Sequence, residues 1–381
     1  MKLRLLHFLL SLSFLSATAH AEGKILIPGA PKLAATAYLL EDFNSGRILV
    51  ENNADKPLAP ASLTKIMTVY VAFRELKNAN LALDDQVTIS KKAWQMGGSR
   101  MYIEVNHQVS VENLLKGIII QSGNDASVAL AEHIAGDEST FAQLMNQQAE
   151  RLGMKNTHYM NSTGWPSPDH YTTARDLATL TRALIKEFPE HYAWHSTKEF
   201  TYNNITQHNR NKLLWRDASV DGVKTGHTDE AGYCLVTSAK RNDMRLISVV
   251  MGTQSENARA NQNQSLLNYG FRFFETHKLY NANESLTEVR VWKGDKKQMV
   301  LGLADDLYVT IPRHHYDDLQ ATMEIDPLIV APVNAGEKLG AVNVDLAGEP
   351  VASQALVALK DVPEGSVFRQ LYDKALMYWN E

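Results

Sequence analysis

The sequence has almost no cysteine: Cys234 is the only one among 381 residues. A single thiol cannot form an internal disulfide, so no disulfide framework is expected within the chain. Cys234 lies in Tyr233-Cys234-Leu235-Val236, an apolar stretch typical of a strand. Because a reactive thiol requires an electropositive and partly exposed setting, this stretch predicts a buried, inert thiol.

A strong excess of charge of either sign is also missing. The 38 Lys and Arg residues nearly balance 43 Asp and Glu residues, which gives a formal net charge of −5. This mild negative balance argues against nucleic acid as the main partner, because nucleic-acid-binding domains carry clustered positive charge. The chain is longer than one typical domain, so two domains are expected.

The apolar run near the N-terminus is short. Residues 5–15 are mostly apolar, whereas a transmembrane helix requires about 20 such residues. Two basic residues precede the run, and Ala19-His20-Ala21 is a small-x-small cleavage signal. We therefore expect residues 1–21 to be a cleaved signal peptide; the alternative is an uncleaved N-terminal anchor.

Three short motifs carry the chemistry: Ser62-Leu63-Thr64-Lys65, Ser122-Gly123-Asn124 and Lys224-Thr225-Gly226. Ser-x-x-Lys alone has little weight, but three such elements in this order rarely arise by chance. A serine hydroxyl is a poor nucleophile until a base takes its proton. If the first motif opens a helix, Ser62 and Lys65 share one face and can touch. Lysine serves as a base only when burial or another cation lowers its pKa, and Lys224 is a candidate for that cation.

Hydrophobic periodicity predicts the elements around these motifs. Residues 33–50 indicate two short strands around the turn Asn44-Ser45-Gly46, and a helix is expected after Pro60 with Ser62 at its start. Further helices are expected at Val111–Gln121, Ala126–Ala135, Ser139–Leu152 and Thr173–Phe188. Paired strands are expected at Gly232–Ser238 and Arg245–Gly252. This order indicates an α/β sandwich with an antiparallel sheet.

The pattern changes from about Glu284 onward. Apolar residues there alternate with polar ones, as in Val342, Val344 and Leu346, and turn clusters such as Asn334-Ala335-Gly336 separate the runs. Such alternation predicts a small all-β domain.

The C-terminal segment, residues 363–381, is expected to form a helix. Phe368, Leu371, Ala375 and Trp379 would share one apolar stripe. The segment is too short and too charged to span a bilayer, but it suits an amphipathic helix lying in the membrane plane. Its few basic residues are offset by acidic ones, so anionic lipid should add little. The alternative is a helix that packs this stripe on the protein itself.

The three motifs resemble those of the serine penicillin-recognising enzymes, and the chain looks like a low-molecular-mass D-alanyl-D-alanine carboxypeptidase. Five stretches share the likeness: Pro60–Thr68, Gly97–Met101, Gln121–Ala126, Asp221–Thr228 and Tyr269–Phe274. The resemblance implies a β-lactamase/transpeptidase-like catalytic domain over residues 22–282. An all-β domain over 283–360 and an amphipathic anchor helix over 361–381 would follow. One departure is Trp165, where a smaller apolar residue is common.

The resemblance also implies roles for individual residues. Ser62 is the nucleophile, Lys65 its base, and Ser122 a proton relay to the leaving amine. Substrate-binding residues would be Asn124, Lys224, Thr225, Gly226, His227, Arg210 and Arg259. A cation and a hydroxyl suit the terminal carboxylate of a substrate, as at Lys224 and Thr225.

The remaining parts of the expected mechanism come from the backbone. The N–H groups of Ser62 and His227 would form an oxyanion hole, since donors are needed where negative charge develops. No metal or organic cofactor is expected, because serine, lysine and backbone donors supply the whole mechanism.

The expected function is that of a periplasmic D,D-carboxypeptidase, peripheral on the outer face of the inner membrane. It would remove the terminal D-alanine from peptidoglycan pentapeptide stems, and β-lactams would acylate Ser62. One alternative is a class A β-lactamase, which needs a carboxylate to activate the deacylating water. The only Glu-x-x-x-Asn pattern in this sequence that could supply the carboxylate is Glu199–Asn203. It lies too near Lys224 and just before an apparent strand. The other alternative is a non-catalytic peptidoglycan-binding scaffold, which would not need an intact Ser62 and Lys65.

Overall fold

The computed structural model describes residues 27–380, so the predicted signal peptide lies outside the described residues. The strands, in chain order, are β1 Ala37–Asp42, β2 Ile48–Asn52, β3 Gln86–Thr88, β4 Gln108–Ser110, β5 Glu199–Tyr202, β6 Ile205–His208, β7 Val220–Thr228, β8 Gly232–Arg241, β9 Met244–Thr253, β10 Phe274–Tyr280, β11 Thr287–Arg290, β12 Gln298–Leu303, β13 Leu307–Pro312, β14 Leu319–Ile325, β15 Lys338–Leu346 and β16 Glu349–Ala358. The α-helices are α1 Lys65–Lys77, α2 Lys91–Trp94, α3 Val111–Lys116, α4 Asn124–Ala135, α5 Glu138–Arg151, α6 Ala174–Glu187, α7 Pro189–Tyr192, α8 Leu213–Arg216, α9 Glu256–Phe273 and α10 Val367–Asn380.

A five-stranded antiparallel sheet in the order β2-β1-β9-β8-β7 forms the centre of the catalytic half. Successive side chains of a strand point to opposite faces, and each face of this sheet packs against helices. Leu39 belongs to the core shared with α1, α4 and α6. Its neighbour Leu40 belongs to the core shared with α9. The predicted α/β sandwich with an antiparallel sheet is therefore confirmed.

The edge strand β7 carries the Lys-Thr-Gly motif beside the turn that holds Ser62. A Cβ added at Gly226 would lie 2.9 Å from the carbonyl oxygen of Pro60 and 3.2 Å from the backbone nitrogen of Leu63. Because real Cβ atoms essentially never come so close to backbone, only glycine permits this approach of strand and turn.

The C-terminal half contains a second five-stranded antiparallel sheet in the order β11-β12-β16-β15-β14, and β10 pairs with β13. Val342, Val344 and Leu346 on β15 are buried. The alternation that predicted an all-β domain is thus confirmed. The exact boundary after residue 282 stays a prediction; strand β10, which precedes it, pairs with β13.

Hydrogen bonds tie the second half of the chain to the central sheet. Thr276 on β10 donates to Asp42 Oδ2 at 2.7 Å. The hydroxyl groups of Ser45 and Thr310 lie 2.6 Å apart. The β1–β2 turn predicted from Asn44-Ser45-Gly46 therefore also serves as a contact point for the β domain.

Helix α10 begins at Val367, later than the predicted start at residue 363. The chain before it is held in extended form, because Val362 pairs with Val333 and Gly365 N donates to Lys293 O at 2.8 Å. The side chains of Phe368 and Trp379 are 85% and 89% exposed. The alternative in which this stripe packs on the protein is therefore wrong. Within residues 27–380, no helix is both long and apolar enough to cross a membrane.

Candidate active site

Ser62 lies in a single 3-10 turn, Ala61–Thr64, that leads directly into α1. The predicted i, i+3 contact is present: Lys65 Nζ is 3.0 Å from Ser62 Oγ. Ala61 has a positive φ of 47°, so the chain bends sharply just before the serine. This bend leaves Ser62 half-buried at the mouth of a cleft, while Lys65 is fully buried beneath it.

The Lys65 amine has three close neighbours. It lies 2.7 Å from Asn124 Oδ1 and 2.6 Å from the carbonyl oxygen of Thr163, in addition to Ser62. Those two oxygens can only accept hydrogen bonds, whereas a hydroxyl can also donate. A neutral amine has two N–H groups and one lone pair. When the two N–H groups go to Asn124 and Thr163, the lone pair is left for the Ser62 proton.

Burial lowers the pKa of Lys65 to about 7; Asp125 opposes this effect and Arg210 adds to it. The pKa of Lys224 is itself lowered well below its usual value, by burial first and then by Lys65. The two buried lysines therefore oppose each other's positive charge, and the part of Lys224 in lowering the pKa of Lys65 stays a prediction. A shift of this size makes neutral Lys65 abundant near neutral pH.

Ser122 follows an irregular end of the second predicted helix. Helix α3 passes into one π-helical turn, Gly117–Gln121, and Ser122 then adopts a left-handed φ of 68°. Such turns and strained residues are frequent at functional sites. Lys224 Nζ is 2.8 Å from Ser122 Oγ and 3.0 Å from the carbonyl oxygen of Thr225. Strand β7 and the Ser122 loop are therefore joined across the cleft by Lys224.

Asn124 and Asp125, at the start of α4, hydrogen-bond the backbone of residues 97–102. Asn124 Nδ2 donates to Gly97 O at 2.7 Å, while its Oδ1 is engaged by Lys65. The buried Asp125 carboxylate accepts the backbone N–H of Met101 at 3.0 Å and of Tyr102 at 2.9 Å. Asn124 therefore contacts both the base Lys65 and the backbone of Gly97 in this structure. Its predicted contact with substrate stays a prediction.

Two arginines, Arg210 and Arg259, line the same cleft as Thr225. Arg259, almost fully buried at the start of α9, donates to Gly226 O at 3.1 Å. Arg210 is exposed and lines the same cleft. The chain beside Arg210 is fixed, because the buried Asn211 donates from Nδ2 to Gly222 O at 2.9 Å.

His227 lies at the rim of the cleft, one residue after the close approach of β7 to the Ser62 turn. Its exposed ring packs on Tyr233, with 3.9 Å between ring centroids. The predicted oxyanion donors, Ser62 and His227, both line the cleft. Gly226, predicted to be a substrate-binding residue, brings the β7 backbone close to the Ser62 turn.

Eight of the ten predicted site residues line one cleft of about 750 Å³, and the other two are buried lysines. Lys65 and Lys224 lie beneath its floor. The cleft is lined by Ser62, Gly98, Ser99, Ser122, Asn124, Thr163, Gly164, Trp165, Pro166, Arg210, Thr225, Gly226, His227, Thr228, Asp229, Glu230, Tyr233, Glu256 and Arg259.

Several residues that shape the site were not predicted from the sequence. Asn161 Oδ1 accepts the backbone N–H of Gly164 at 2.8 Å and of Trp165 at 3.1 Å, which fixes the loop behind Lys65. His170 accepts Met160 N–H through Nδ1, and its Nε2 lies 2.8 Å from Thr64 Oγ1. Burial lowers the pKa of His170 to about 4, so the ring is neutral. The sequence Asn161-Ser162-Thr163-Gly164 is typical of a turn and could have indicated this loop. Nothing in the sequence around His170 indicates its contact with Thr64.

Three other sequence observations have clear outcomes. Trp165 lines the cleft and is 51% exposed. Glu199 lies within β5 rather than before a strand, and it does not line the cleft. Cys234 is buried, and burial raises the pKa of its thiol to about 11. The prediction of an inert thiol is therefore confirmed.

Comparison with known proteins shows which family the chain belongs to. The family model for D-alanyl-D-alanine carboxypeptidase, Peptidase S11, matches residues 25–255, and that for the penicillin-binding protein 5 C-terminal domain matches residues 274–364. The D-alanyl-D-alanine carboxypeptidase DacC of Escherichia coli K12 is 44% identical over 360 residues, covering 92% of this chain and 90% of the relative.

Solved structures give the same result. Penicillin-binding protein 5 from Haemophilus influenzae superposes with a TM-score of 0.85 at 43% identity, covering 88% of this chain and 99% of that one. Penicillin-binding protein D2 from Listeria monocytogenes, solved in its ampicillin-bound form, has a TM-score of 0.59 at 30% identity and covers 64% and 99%. With motifs, sandwich fold and C-terminal β domain in agreement, the chain belongs to the D-alanyl-D-alanine carboxypeptidase family of penicillin-binding proteins.

Proposed function

We propose that this protein removes the terminal D-alanine from peptidoglycan pentapeptide stems through an acyl-enzyme on Ser62. The observation that carries the proposal is the contact of 3.0 Å between Ser62 Oγ and the buried Lys65 amine, whose pKa burial lowers to about 7. A nucleophile and a matched base within hydrogen-bond reach are what acyl transfer requires.

The first chemical step is acylation. Ser62 Oγ attacks the carbonyl carbon of the penultimate D-alanine, and Lys65 takes the serine proton. The carbonyl oxygen becomes an oxyanion, which accepts hydrogen bonds from the backbone N–H groups of Ser62 and His227. As the C–N bond breaks, the proton that Lys65 took from Ser62 passes through the Ser122 hydroxyl to the nitrogen of the departing D-alanine, which leaves Lys65 neutral again. Lys224, 2.8 Å from Ser122, holds that hydroxyl in place.

Water then hydrolyses the ester, and the same groups act in reverse. A water molecule gives its proton to Lys65 while its oxygen attacks the acyl carbon. Ser62 leaves with a proton returned by the lysine, and the shortened stem departs. This sequence consumes one water and releases one D-alanine, with no redox change.

The terminal carboxylate gives the substrate its direction in the cleft. Thr225, Arg210 and Arg259 line the cleft and offer a hydroxyl and two guanidinium groups to that carboxylate. Arginine binds carboxylates through paired, charge-assisted hydrogen bonds. A stem that ends in a free carboxylate is therefore favoured over one that continues.

The enzyme also reacts with β-lactams, whose amide lies in a strained ring that mimics the substrate. A relative of known structure, penicillin-binding protein D2, was solved with ampicillin bound. In this chain, the acyl group would stay on Ser62, because the ring nitrogen remains tethered and cannot leave as D-alanine does.

The proposed location is the periplasm, on the outer face of the inner membrane. Residues 1–21 have the composition of a signal peptide, and helix α10 has an exposed apolar stripe. A short amphipathic helix of this kind suits the interface of a bilayer.

Mass spectrometry after incubation with benzylpenicillin tests the catalytic proposal. The expected result is a covalent adduct on the peptide that contains Ser62, together with D-alanine release from a D-Ala-D-Ala peptide. Ser62→Ala should abolish both. An adduct that persists in Ser62→Ala would place the nucleophile elsewhere, and the proposal would be wrong.

A further inference from the structure

Helix α10 is joined to the β domain without a free linker. Just before the helix, Asp295 N donates to Pro363 O at 3.0 Å and Gly365 N donates to Lys293 O at 2.8 Å. Residues 363–365 therefore run as a short extra strand beside residues 293–295. Ser366 follows and caps the helix, with Gln370 N donating to its carbonyl oxygen at 2.9 Å. The helix thus starts from a fixed point.

A second attachment lies about two helical turns further along. Asp373 is 0% exposed, although charged residues are almost never fully buried without a partner. Its Oδ2 accepts the backbone N–H of Lys293 at 2.7 Å and lies 3.2 Å from Arg369 Nε. Its Oδ1 lies 3.5 Å from Arg290 Nη2. One carboxylate of the helix is therefore placed between a backbone donor and two guanidinium groups.

The β domain holds its part of this site in place. The Arg290 guanidinium packs over the Trp292 ring at 3.6 Å from the ring centroid, a favourable cation–π arrangement. Trp292 N in turn donates to Ile329 O at 2.9 Å. The partners of Asp373 on the β domain are thus fixed independently of the helix.

The face that docks is opposite the face that is exposed. With 3.6 residues per turn, Asp373 lies on the same side as Arg369, Leu376 and Met377, which are half-buried. The bulky apolar residues Val367, Phe368, Leu371, Tyr372, Tyr378 and Trp379 are 60–89% exposed. An isolated amphipathic helix would be expected to hide its apolar stripe; here the opposite face, which carries charged residues together with Leu376 and Met377, is docked instead.

We propose that Asp373 fixes α10 to the β domain by the face opposite its apolar stripe, so that the apolar face is a preformed, outward-facing membrane contact surface. The partner of that surface is a lipid bilayer, and in this respect the inference rests on the proposed membrane location. The catalytic cleft would then stand at a defined height and orientation above the bilayer. Asp373 is a positioning residue and takes no part in catalysis.

The docking is tested first without lipid, by hydrogen exchange on the full-length protein. Amides of residues 369–378 should exchange at least about tenfold faster in Asp373→Ala than in the parent chain. Asp373→Asn, which keeps one acceptor but loses the charge, should fall between them. Asp317→Asn removes the same charge from an exposed site with no ion pair and should change nothing. Equal exchange in the parent and in Asp373→Ala would overturn the proposal.

Folding of the variants is checked by penicillin labelling of Ser62, which should be unaltered because Asp373 lies outside the catalytic half. Spin-label distances then report the orientation. Labels at Lys374→Cys and Glu324→Cys should give one narrow distance in the parent and a broad distribution in Asp373→Ala. The buried native Cys234 leaves the introduced thiols as the accessible ones. A broad distribution in the parent would also overturn the proposal.

Vesicles of phosphatidylethanolamine and phosphatidylglycerol separate this inference from the membrane proposal. The parent and Asp373→Ala should both sediment with vesicles, because the apolar stripe is unchanged, but only the parent should keep the narrow distance there. If the parent fails to sediment yet keeps its narrow distance in solution, the membrane proposal fails and the docking stands. If the parent protein sediments with vesicles but its spin-label distances are broadly distributed, the docking proposal fails and the membrane proposal stands.

Discussion

At the scale of single residues, the site depends on one buried amine. Lys65 has no acidic partner in direct contact, so burial acts against its charged form without a nearby compensating carboxylate. Its three neighbours are neutral oxygens, two of which can only accept. The position therefore favours a neutral amine whose lone pair faces Ser62.

The first prediction concerns this base. Lys65→Arg keeps a positive charge but cannot be deprotonated in a protein. Acylation by benzylpenicillin should fall by at least about a thousandfold, in line with the loss of a general base. Stopped-flow acylation measures the rate, and circular dichroism checks the fold. A folded variant that acylates at nearly the parental rate would exclude Lys65 as the base.

The second prediction concerns pH. With the pKa of Lys65 lowered to about 7, the reactive neutral amine is depleted below that value and predominates above it. The acylation rate should therefore rise with pH through about 7 and level off, changing about tenfold between one unit below and one unit above. The pH profile of benzylpenicillin acylation measures this, under second-order conditions. A rate that stays flat from pH 6 to pH 8 would contradict the proposed role.

At the scale of elements, hydrophobic periodicity predicted the helices and strands that pack on one face. The strands Gly232–Ser238 and Arg245–Gly252 are present within longer strands β8 and β9, because alternating burial is a local signal. The irregular turns at Ser62 and Ser122 were not predicted. Their left-handed residues depend on neighbours far along the chain, which a local pattern does not contain.

Local spacing predicts one contact of the site, between Ser62 and Lys65, but not the long-range contacts around it. Spacing within Ser62-x-x-Lys65 predicted their contact, since i and i+3 share a helix face. The support of that contact by Thr163 and Asn124 joins segments 98 and 59 residues away from Lys65. Such long-range partners follow from tertiary packing. Arg210 and Arg259 came from resemblance, and the structure places them in the cleft.

The third prediction concerns Gly164, which packs under the Ser62 turn. It has a φ of 83°, and an added Cβ would collide with the Ala61 carbonyl oxygen and lie 2.8 Å from Thr64 Oγ1. Gly164→Ala should lower the free energy of unfolding by roughly 1–3 kcal/mol and slow acylation, because the turn must shift. Urea unfolding and penicillin labelling measure the two effects.

Gly153→Ala is the matched control for this change. Its φ of 74° imposes a similar backbone strain, but nothing lies within 4 Å of the added Cβ. It should lower stability by about 1 kcal/mol and leave acylation unchanged. If both variants acylate alike, Gly164 has no special part in shaping the nucleophile turn.

At the scale of the whole molecule, catalysis and membrane contact lie on different parts of the chain. Every predicted site residue lies between Ser62 and Arg259, whereas α10 begins at Val367. The β domain lies between them in sequence, and its Thr310 contacts Ser45 in the β1–β2 turn of the central sheet. This separation allows the two functions to be removed one at a time.

The fourth prediction uses that separation. Ending the chain after Ser366 removes α10 but keeps the strand-like pairing of residues 363–365 with the β domain. The truncated protein should no longer sediment with vesicles, while D-alanine release from a soluble peptide should stay within about twofold, since no site residue is lost. Burial of the apolar stripe contributes roughly 25 cal/mol per Å², so binding depends on that surface more than on charge. High salt should therefore release little of the full-length protein.

Phe368→Ser with Trp379→Ser distinguishes lipid contact from any other effect of the truncation. These side chains are 85% and 89% exposed, so the double variant should keep α10 docked while weakening its contact with lipid. It should sediment less than the parent and more than the truncated chain, because Leu371 and Tyr372 remain. If the parent, double variant and truncated chain sediment to the same extent, α10 does not attach this protein to membranes. The exposed stripe would then need a different partner.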